Sequence, residues 1–204
     1  MPAKVHFVDD DGSFLRMTSR LLRIAGFDVI TYLSAFELLE DIRNEAKGCI
    51  LADLEMPEMN GMDLLSAVQK TGNPLPVVFL SGSGNIPISV KALKQGAVDF
   101  LTKPVSEKDL IAAIEAALER NEKERRLSSR RVTIEKMFDL LSPRERQILE
   151  CVTQGMLNKQ IADHFRIHER TVKLHRTSIT TKLGLKSVAE LTKFNVEARS
   201  YGKL

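Results

Sequence analysis

Cys49-Ile50-Leu51-Ala52-Asp53-Leu54-Glu55-Met56-Pro57-Glu58-Met59-Asn60-Gly61 is the stretch whose reading decides the fold. A short apolar run delivers one carboxylate, Asp53, to the end of what reads as a buried strand. The Met-Pro turn after it sends the chain toward a helix beginning near Asn60. In an open parallel α/β sheet, ligand chemistry collects outside the carboxyl ends of the strands. An aspartate at such an end is most commonly a turn residue. Otherwise it is a metal ligand, a nucleophile or both, and its neighbours in the fold decide which.

Those neighbours come from the segments on either side. Val5-His6-Phe7-Val8 reads as a strand ending in Asp9-Asp10-Asp11, and Gly12-Ser13 opens an amphipathic helix carrying Phe14, Leu21 and Leu22. Residues 28–32 alternate as a strand and 35–44 return to a helix. Residues 48–52 form the strand that carries Asp53, and 60–71 a helix broken by Gly72-Asn73-Pro74. Val77-Val78-Phe79-Leu80 is a buried strand followed by Ser81-Gly82-Ser83-Gly84. A helix over 86–95 stops at Gly96, and 99–101 is a last strand before Thr102-Lys103-Pro104. Strand and helix alternate five times, which predicts a doubly wound α/β unit with a five-stranded parallel sheet covered on both faces.

In such a sheet the carboxyl ends share one edge, so Asp9/Asp10, Asp53, Ser81 and Lys103 converge. Clustered carboxylates repel unless a divalent cation offsets them, and hard oxygen ligands with few protein contacts suit Mg²⁺. A cation there leaves Asp53 ionised and nucleophilic toward phosphorus. Lys103 balances the charge, and the Ser81 hydroxyl is placed to donate to an incoming phosphoryl oxygen. The competing account is four unrelated strand ends that carry polar residues by chance.

The chain of 204 residues is long enough for two domains, and 43% hydrophobic with 28% charged residues is the composition of a soluble globular protein. No apolar run reaches the roughly 18 residues of a membrane span, and the first residues lack a signal peptide's apolar core. A cytoplasmic protein without membrane contact is expected. Cys49 and Cys151 sit in apolar segments and form no CxxC, so they read as buried hydrophobes, and any metal has oxygen ligands. The net charge of +3 is unevenly spread: residues 1–105 carry 10 basic and 13 acidic groups, 106–141 carry 8 of each, and 142–204 carry 12 basic and 6 acidic. A basic last third suggests a polyanion partner, or merely aids solubility.

Ser106-Glu107-Lys108-Asp109 has a capping-box form and starts a helix through Leu110, Ile111, Ile114 and Leu118. The charges of 119–126, interrupted by Ser128-Ser129, extend that helix into solvent or form a flexible linker. A third option is a helical stalk through Ile134, Met137, Phe138 and Leu141 that helps to pair two chains. Leu141-Ser142-Pro143-Arg144-Glu145 restarts order with an N-cap, a proline at the first helical position and a capping-box glutamate. A helix ending at Gly155, a short helix over 158–165, a tight turn 166–169, a helix over 170–183 and another from Ser187 give a helix-turn-helix arrangement. On the third of these helices Val172, His175, Ile179 and Leu183 should pack inward. Lys173, Arg176, Thr177 and Thr180 make a basic, hydroxylated outer face suited to phosphates and base edges, although an ordinary polar helix face looks similar.

Residues 1–120 resemble a response-regulator receiver domain, a flavodoxin-like fold, through Val8-Asp9-Asp10, Asp53 with Met56-Pro57 and Gly61, Ser81-Gly82, Gly96-Ala97 and Lys103-Pro104. The resemblance implies that a sensor histidine kinase phosphorylates Asp53. It also implies that Asp10, Asp53 and the Glu55 carbonyl hold Mg²⁺, with Asp9 assisting through water. Ser81 and Phe100 occupy the family's two switch positions, and a surface built from the fourth helix, fifth strand and fifth helix dimerises in many relatives. Residues 141–204 resemble the LuxR-type effector domain through Leu141 to Glu145, Gly155, Asn158-Lys159-Gln160-Ile161-Ala162 and Thr171-Val172-Lys173-Leu174-His175-Arg176. The linked pair resembles the NarL/FixJ class, FixJ branch, with 121–140 as linker. By position Lys173, Leu174 and Thr177 face bases, while Asn158, Lys159, Thr171, Arg176 and Lys182 touch phosphates. The reading is a non-enzymatic regulator whose partners are the kinase, promoter DNA, RNA polymerase and a second copy of itself. A phosphohydrolase and a phosphorelay adaptor are the rivals. Val105 and His168 depart from the family patterns: the first affects local packing, and the second caps the recognition helix poorly.

Overall fold

The computed structural model describes residues 2–42, 47–71, 75–82 and 86–202. The chain divides into two compact units, residues 1–125 and 126–204.

The first unit alternates β1 (Lys4–Val8), α1 (Gly12–Ile24), β2 (Asp28–Tyr32), α2 (Ala35–Asp41), β3 (Cys49–Asp53), α3 (Gly61–Gln69), β4 (Val77–Ser81), α4 (Ile86–Lys94) and β5 (Asp99–Thr102) before α5 (Glu107–Asp139). The sheet order is β2-β1-β3-β4-β5, parallel at every pairing. The continuous apolar runs read as strands because both of their faces are covered. Val5, Phe7, Cys49, Leu51, Val78 and Leu80 point to the side of α1 and α5. Val8, Ile50, Ala52, Val77 and Phe79 point to the side of α2, α3 and α4. The period of two along each strand does this sorting.

Element ends follow side-chain caps. Asp11 accepts from the N–H groups of Ser13 and Phe14 to start α1, so it is a cap and not a third member of the acidic edge. Asn60 caps α3 and Ser34 caps α2. The expected helix over 35–44 ends at Asp41, with residues 43–46 outside the described set, as are Gly72-Asn73-Pro74 and Ser83-Gly84. Gly61 is a steric necessity. A Cβ there would lie 2.7 Å from Phe79 Cε1 and 2.8 Å from the Asp53 carbonyl, so only glycine lets α3 start this close to the end of β3.

The stretch left open between helix and tether is helical. Its first turns bury Leu110, Ala113, Ile114 and Ala117 in the first unit's core, and Ile134 and Phe138 enter the core of the second. In the second unit α6 (Pro143–Thr153), α7 (Asn158–Phe165), α8 (Glu169–Leu183) and α9 (Val188–Ser200) enclose Ile148, Leu149, Ile161, Val172, Ile179 and Phe194. Arg166, at φ 52°, turns the chain from α7 to α8. Among the described residues no helix is long and apolar enough to cross a membrane.

Candidate functional site

The carboxyl ends of β1 and β3 lie side by side where the strand order reverses, the place at which an open parallel sheet leaves a crevice. Asp9 and Asp53 emerge there, both buried. Lys103, one residue past β5, reaches between them: its Nζ lies 2.7 Å from Asp9 Oδ2 and 2.6 Å from Asp53 Oδ1. The ammonium also sits 4.2 Å over the Phe14 ring, so the first turn of α1 holds it by a cation–π contact. The remaining carboxylate oxygens are held by the backbone. The Asp11 N–H donates to Asp9 Oδ1 at 2.9 Å and the Glu55 N–H to Asp53 Oδ2 at 2.8 Å.

Burial pushes Asp53 above the ordinary carboxylate range, and the hydrogen bond and charge of Lys103 pull against it. Burial opposes the charge on Lys103, but its bonds to Asp53 and Asp9 outweigh that and raise it. Asp10 stands exposed beside Asp9. Ser81, fully buried, ends β4, and its carbonyl accepts from the Lys103 N–H at 2.7 Å. Phe100 is half-buried against the core on the side of α4. The expected site residues Asp9, Asp53 and Lys103 are in direct contact. Phe14 and the Asp11 and Glu55 amides were missed by sequence reasoning, because a helix-face aromatic and two backbone donors leave no motif.

The donors fit Mg²⁺. Two buried carboxylates, Asp9 and Asp53, share one ammonium with Asp10 exposed next in sequence, all the donors are oxygen, and each bonded oxygen of Asp9 and Asp53 keeps a second lone pair. Among the described residues no three His, Cys, Asp or Glu side chains are gathered closely enough to hold a metal by themselves. The expected ligand set of two carboxylates and the Glu55 carbonyl does not require such a triad.

In the second unit, α8 turns Leu174 outward at 64% exposure, with Lys173 and Thr177 also exposed. The inward residues are Val172, Ile179 and Leu183, and His175 is half-buried. Lys159 is exposed on α7 and Thr171 half-buried. Arg176 Nη1 donates to Asn158 Oδ1 at 2.7 Å, tying α8 to the start of α7. Lys182, expected on phosphate, lies 2.7 Å from the buried carboxylate of Glu145. His168 occupies the N-cap of α8 and its side chain makes no capping bond, as its ring chemistry predicts.

The fold and sites define a two-part regulator: an α/β unit with a lysine-bridged acidic edge, and a helix-turn-helix unit with an exposed recognition helix. Residues 5–115 match the response regulator receiver domain, and 139–195 match the bacterial regulatory proteins of the luxR family. The response regulator protein TodT of Pseudomonas putida is 40% identical over 189 residues, covering 93% of this chain and 83% of that one. The transcriptional regulatory protein FixJ of Azorhizobium caulinodans is 36% identical over 189 residues, covering 93% and 90%. Among solved structures, the response regulator StyR superposes with a TM-score of 0.88 at 39% identity, covering 95% of this chain and 98% of that one. Full-length FixJ from B. japonicum gives 0.60 at 33% identity, covering 99% and 98%. The chain belongs to the response-regulator family and pairs a receiver domain with a LuxR-type helix-turn-helix domain.

Proposed function

We propose that Asp53 is the phosphoacceptor of this regulator and that its phosphorylation by a sensor histidine kinase controls binding of α8 to promoter DNA. The observation that carries the reading is the grip on Asp53 by Lys103 and the Glu55 N–H, with Asp9 beside it, at the sheet's crevice. In the transfer, an Asp53 oxygen attacks the phosphorus of the partner's phosphohistidine. The P–N bond breaks, the imidazole leaves with its electron pair and takes up a proton, and an acyl phosphate forms. Mg²⁺ bound through Asp10, Asp53 and the Glu55 carbonyl, with Asp9 through water, would offset charge on the transferring group. Lys103 already touches the reacting carboxylate and can follow the new charge onto a phosphoryl oxygen. Ser81 ends the neighbouring strand and Phe100 lies on the adjacent strand β5, so a Ser81 hydroxyl drawn to the phosphoryl group is proposed to open space into which the ring turns.

The output is DNA recognition. Lys173, Leu174 and Thr177 face the bases, and Asn158, Lys159, Thr171 and Arg176 face phosphates. The phosphorylated chain acts as a homodimer in the cytoplasm, contacts RNA polymerase at the promoter, and turns over no external substrate. Domain limits of 1–120, 121–140 and 141–204 describe this division of labour. The test is intact mass spectrometry after treatment with acetyl phosphate and Mg²⁺. Wild type gains one phosphoryl group, whereas Asp53→Asn and wild type in EDTA gain none. Labelling that persists in a folded Asp53→Asn chain overturns the assignment.

A further inference from the structure

The basic face of α8 contains cations of unequal freedom, and their partners sort them. Lys173 Nζ lies 3.4 Å from Glu169, with both side chains about half exposed or more, so that pair is loose and screened by solvent. Arg176 is bonded to the amide oxygen of Asn158, a neutral partner that offsets none of its charge. Lys182 is different. Its Nζ is 2.7 Å from Oε2 of Glu145, whose side chain is only 5% exposed.

Glu145 is committed on every side. Ser178 Oγ donates to Oε1 at 2.6 Å, and the Ser142 N–H donates to Oε2 at 2.7 Å. These contacts hold its carboxyl down to about 2, burial being opposed and outweighed by Lys182, Ser178 and Ser142. Ser178 and Lys182 are four residues apart, so they share one side of α8. A single carboxylate on the first turn of α6 thus grips α8 at two successive turns. Drawing Lys182 away to a phosphate would leave a buried carboxylate without its counter-ion, which a solvent-exposed contact does not repay.

We propose that Lys182 is the internal counter-ion of Glu145 and not a phosphate contact. Glu145 is then a positioning residue that fixes the rotation of α8 about its axis and withholds one positive charge from DNA. This rests on the DNA-binding reading above.

Counterion release makes the charge count measurable. The slope of log affinity against log salt scales with the number of phosphates neutralised, and loss of one contact lowers it by roughly one. The experiment uses the full chain, treated with acetyl phosphate and Mg²⁺, titrated by fluorescence anisotropy onto a mixed-sequence duplex several helical turns long over a range of NaCl. Lys159→Gln and Arg176→Gln, the two cations placed on phosphates, should each lower the slope by about one per protomer, while Lys182→Gln keeps the wild-type slope. Because a lone Lys182→Gln exposes Glu145 to unfolding, the neutral pair Glu145→Gln/Lys182→Gln carries the same expectation. Glu145→Gln alone frees the ammonium and should steepen the slope by up to about one, a change that partial unfolding does not produce. A slope lowered by about one in either Lys182 variant overturns the inference, as does an unchanged slope in Glu145→Gln. A wild-type chain with no salt-dependent binding overturns the DNA-binding reading itself, and the wild-type slope therefore separates the two failures.

Discussion

Lys103→Met removes the ammonium that joins Asp9 to Asp53. In wild type it lies 2.7 Å from one carboxylate and 2.6 Å from the other, and those side chains are 1% and 7% exposed. Breaking a buried ion pair by deleting one partner costs about 3–5 kcal/mol. Two features reduce that here: Lys103 itself is 21% exposed, and one of the two carboxylates can escape by taking a proton. A loss of about 2–3 kcal/mol from the first unit is expected at neutral pH in EDTA. The pH dependence has a definite sign. Without Lys103 the folded-state affinity of Asp53 for a proton rises further above its unfolded value. The variant therefore loses stability as pH climbs out of the carboxylate range and regains it on acidification. Mg²⁺ should restore it, because at 100 times its dissociation constant a ligand adds about 2.7 kcal/mol. Wild type, already neutralised in part, should gain less. Urea unfolding by circular dichroism, with hydrogen exchange assigning each transition to its unit, measures all three quantities. A variant as stable as wild type in EDTA, or one that Mg²⁺ stabilises no more than wild type, refutes the reasoning.

Gly61→Ala sets a methyl group 2.7 Å from Phe79 and 2.8 Å from the Asp53 carbonyl. It should cost the first unit about 3 kcal/mol and slow Asp53 phosphorylation, read by thermal melts and the rate of mass gain. Glu145 is held at about 2, well below its unfolded value, so its contribution is present above the glutamate range and disappears as pH falls through about 2. About 3 kcal/mol of the second unit's stability should be lost over that window, and Glu145→Gln should flatten the acid limb of its melting curve. His168 has the extended backbone of an N-cap without a capping bond, so His168→Ser should stabilise the second unit by about 0.5–1 kcal/mol. Slower hydrogen exchange in the first turn of α8 would report that gain.

Local chemistry made much of this molecule legible. The runs at Val5–Val8, Cys49–Ala52 and Val77–Leu80 are apolar at every position but His6, and only strands covered on both faces tolerate that. The capping boxes at Ser142/Glu145 and Ser187/Glu190 mark α6 and α9 because their signals lie within four residues. The convergence of Asp53 with Asp9 and Lys103 followed from topology, since parallel strands bring distant carboxyl ends to one edge. What sequence reasoning missed depends on contacts with no local pattern. Glu145 reads as a cap, yet its larger role spans 33 and 37 residues to Ser178 and Lys182. Phe14 belongs to an ordinary amphipathic stripe, and its place beneath Lys103 depends on the angle of α1 to the sheet. The charged segment after Leu118 left helix and tether open. Asn121, buried against Gly48, and Ile134, buried in the second core, hold α5 at points that composition does not mark.

The most direct test of the account measures promoter-DNA affinity and solution mass by light scattering for wild type and Asp53→Asn, before and after acetyl phosphate with Mg²⁺. The account predicts that phosphorylation converts wild type to a dimer and tightens its binding, while Asp53→Asn stays as it was on both counts. A phosphorylated wild type that neither dimerises nor binds DNA more tightly would contradict it.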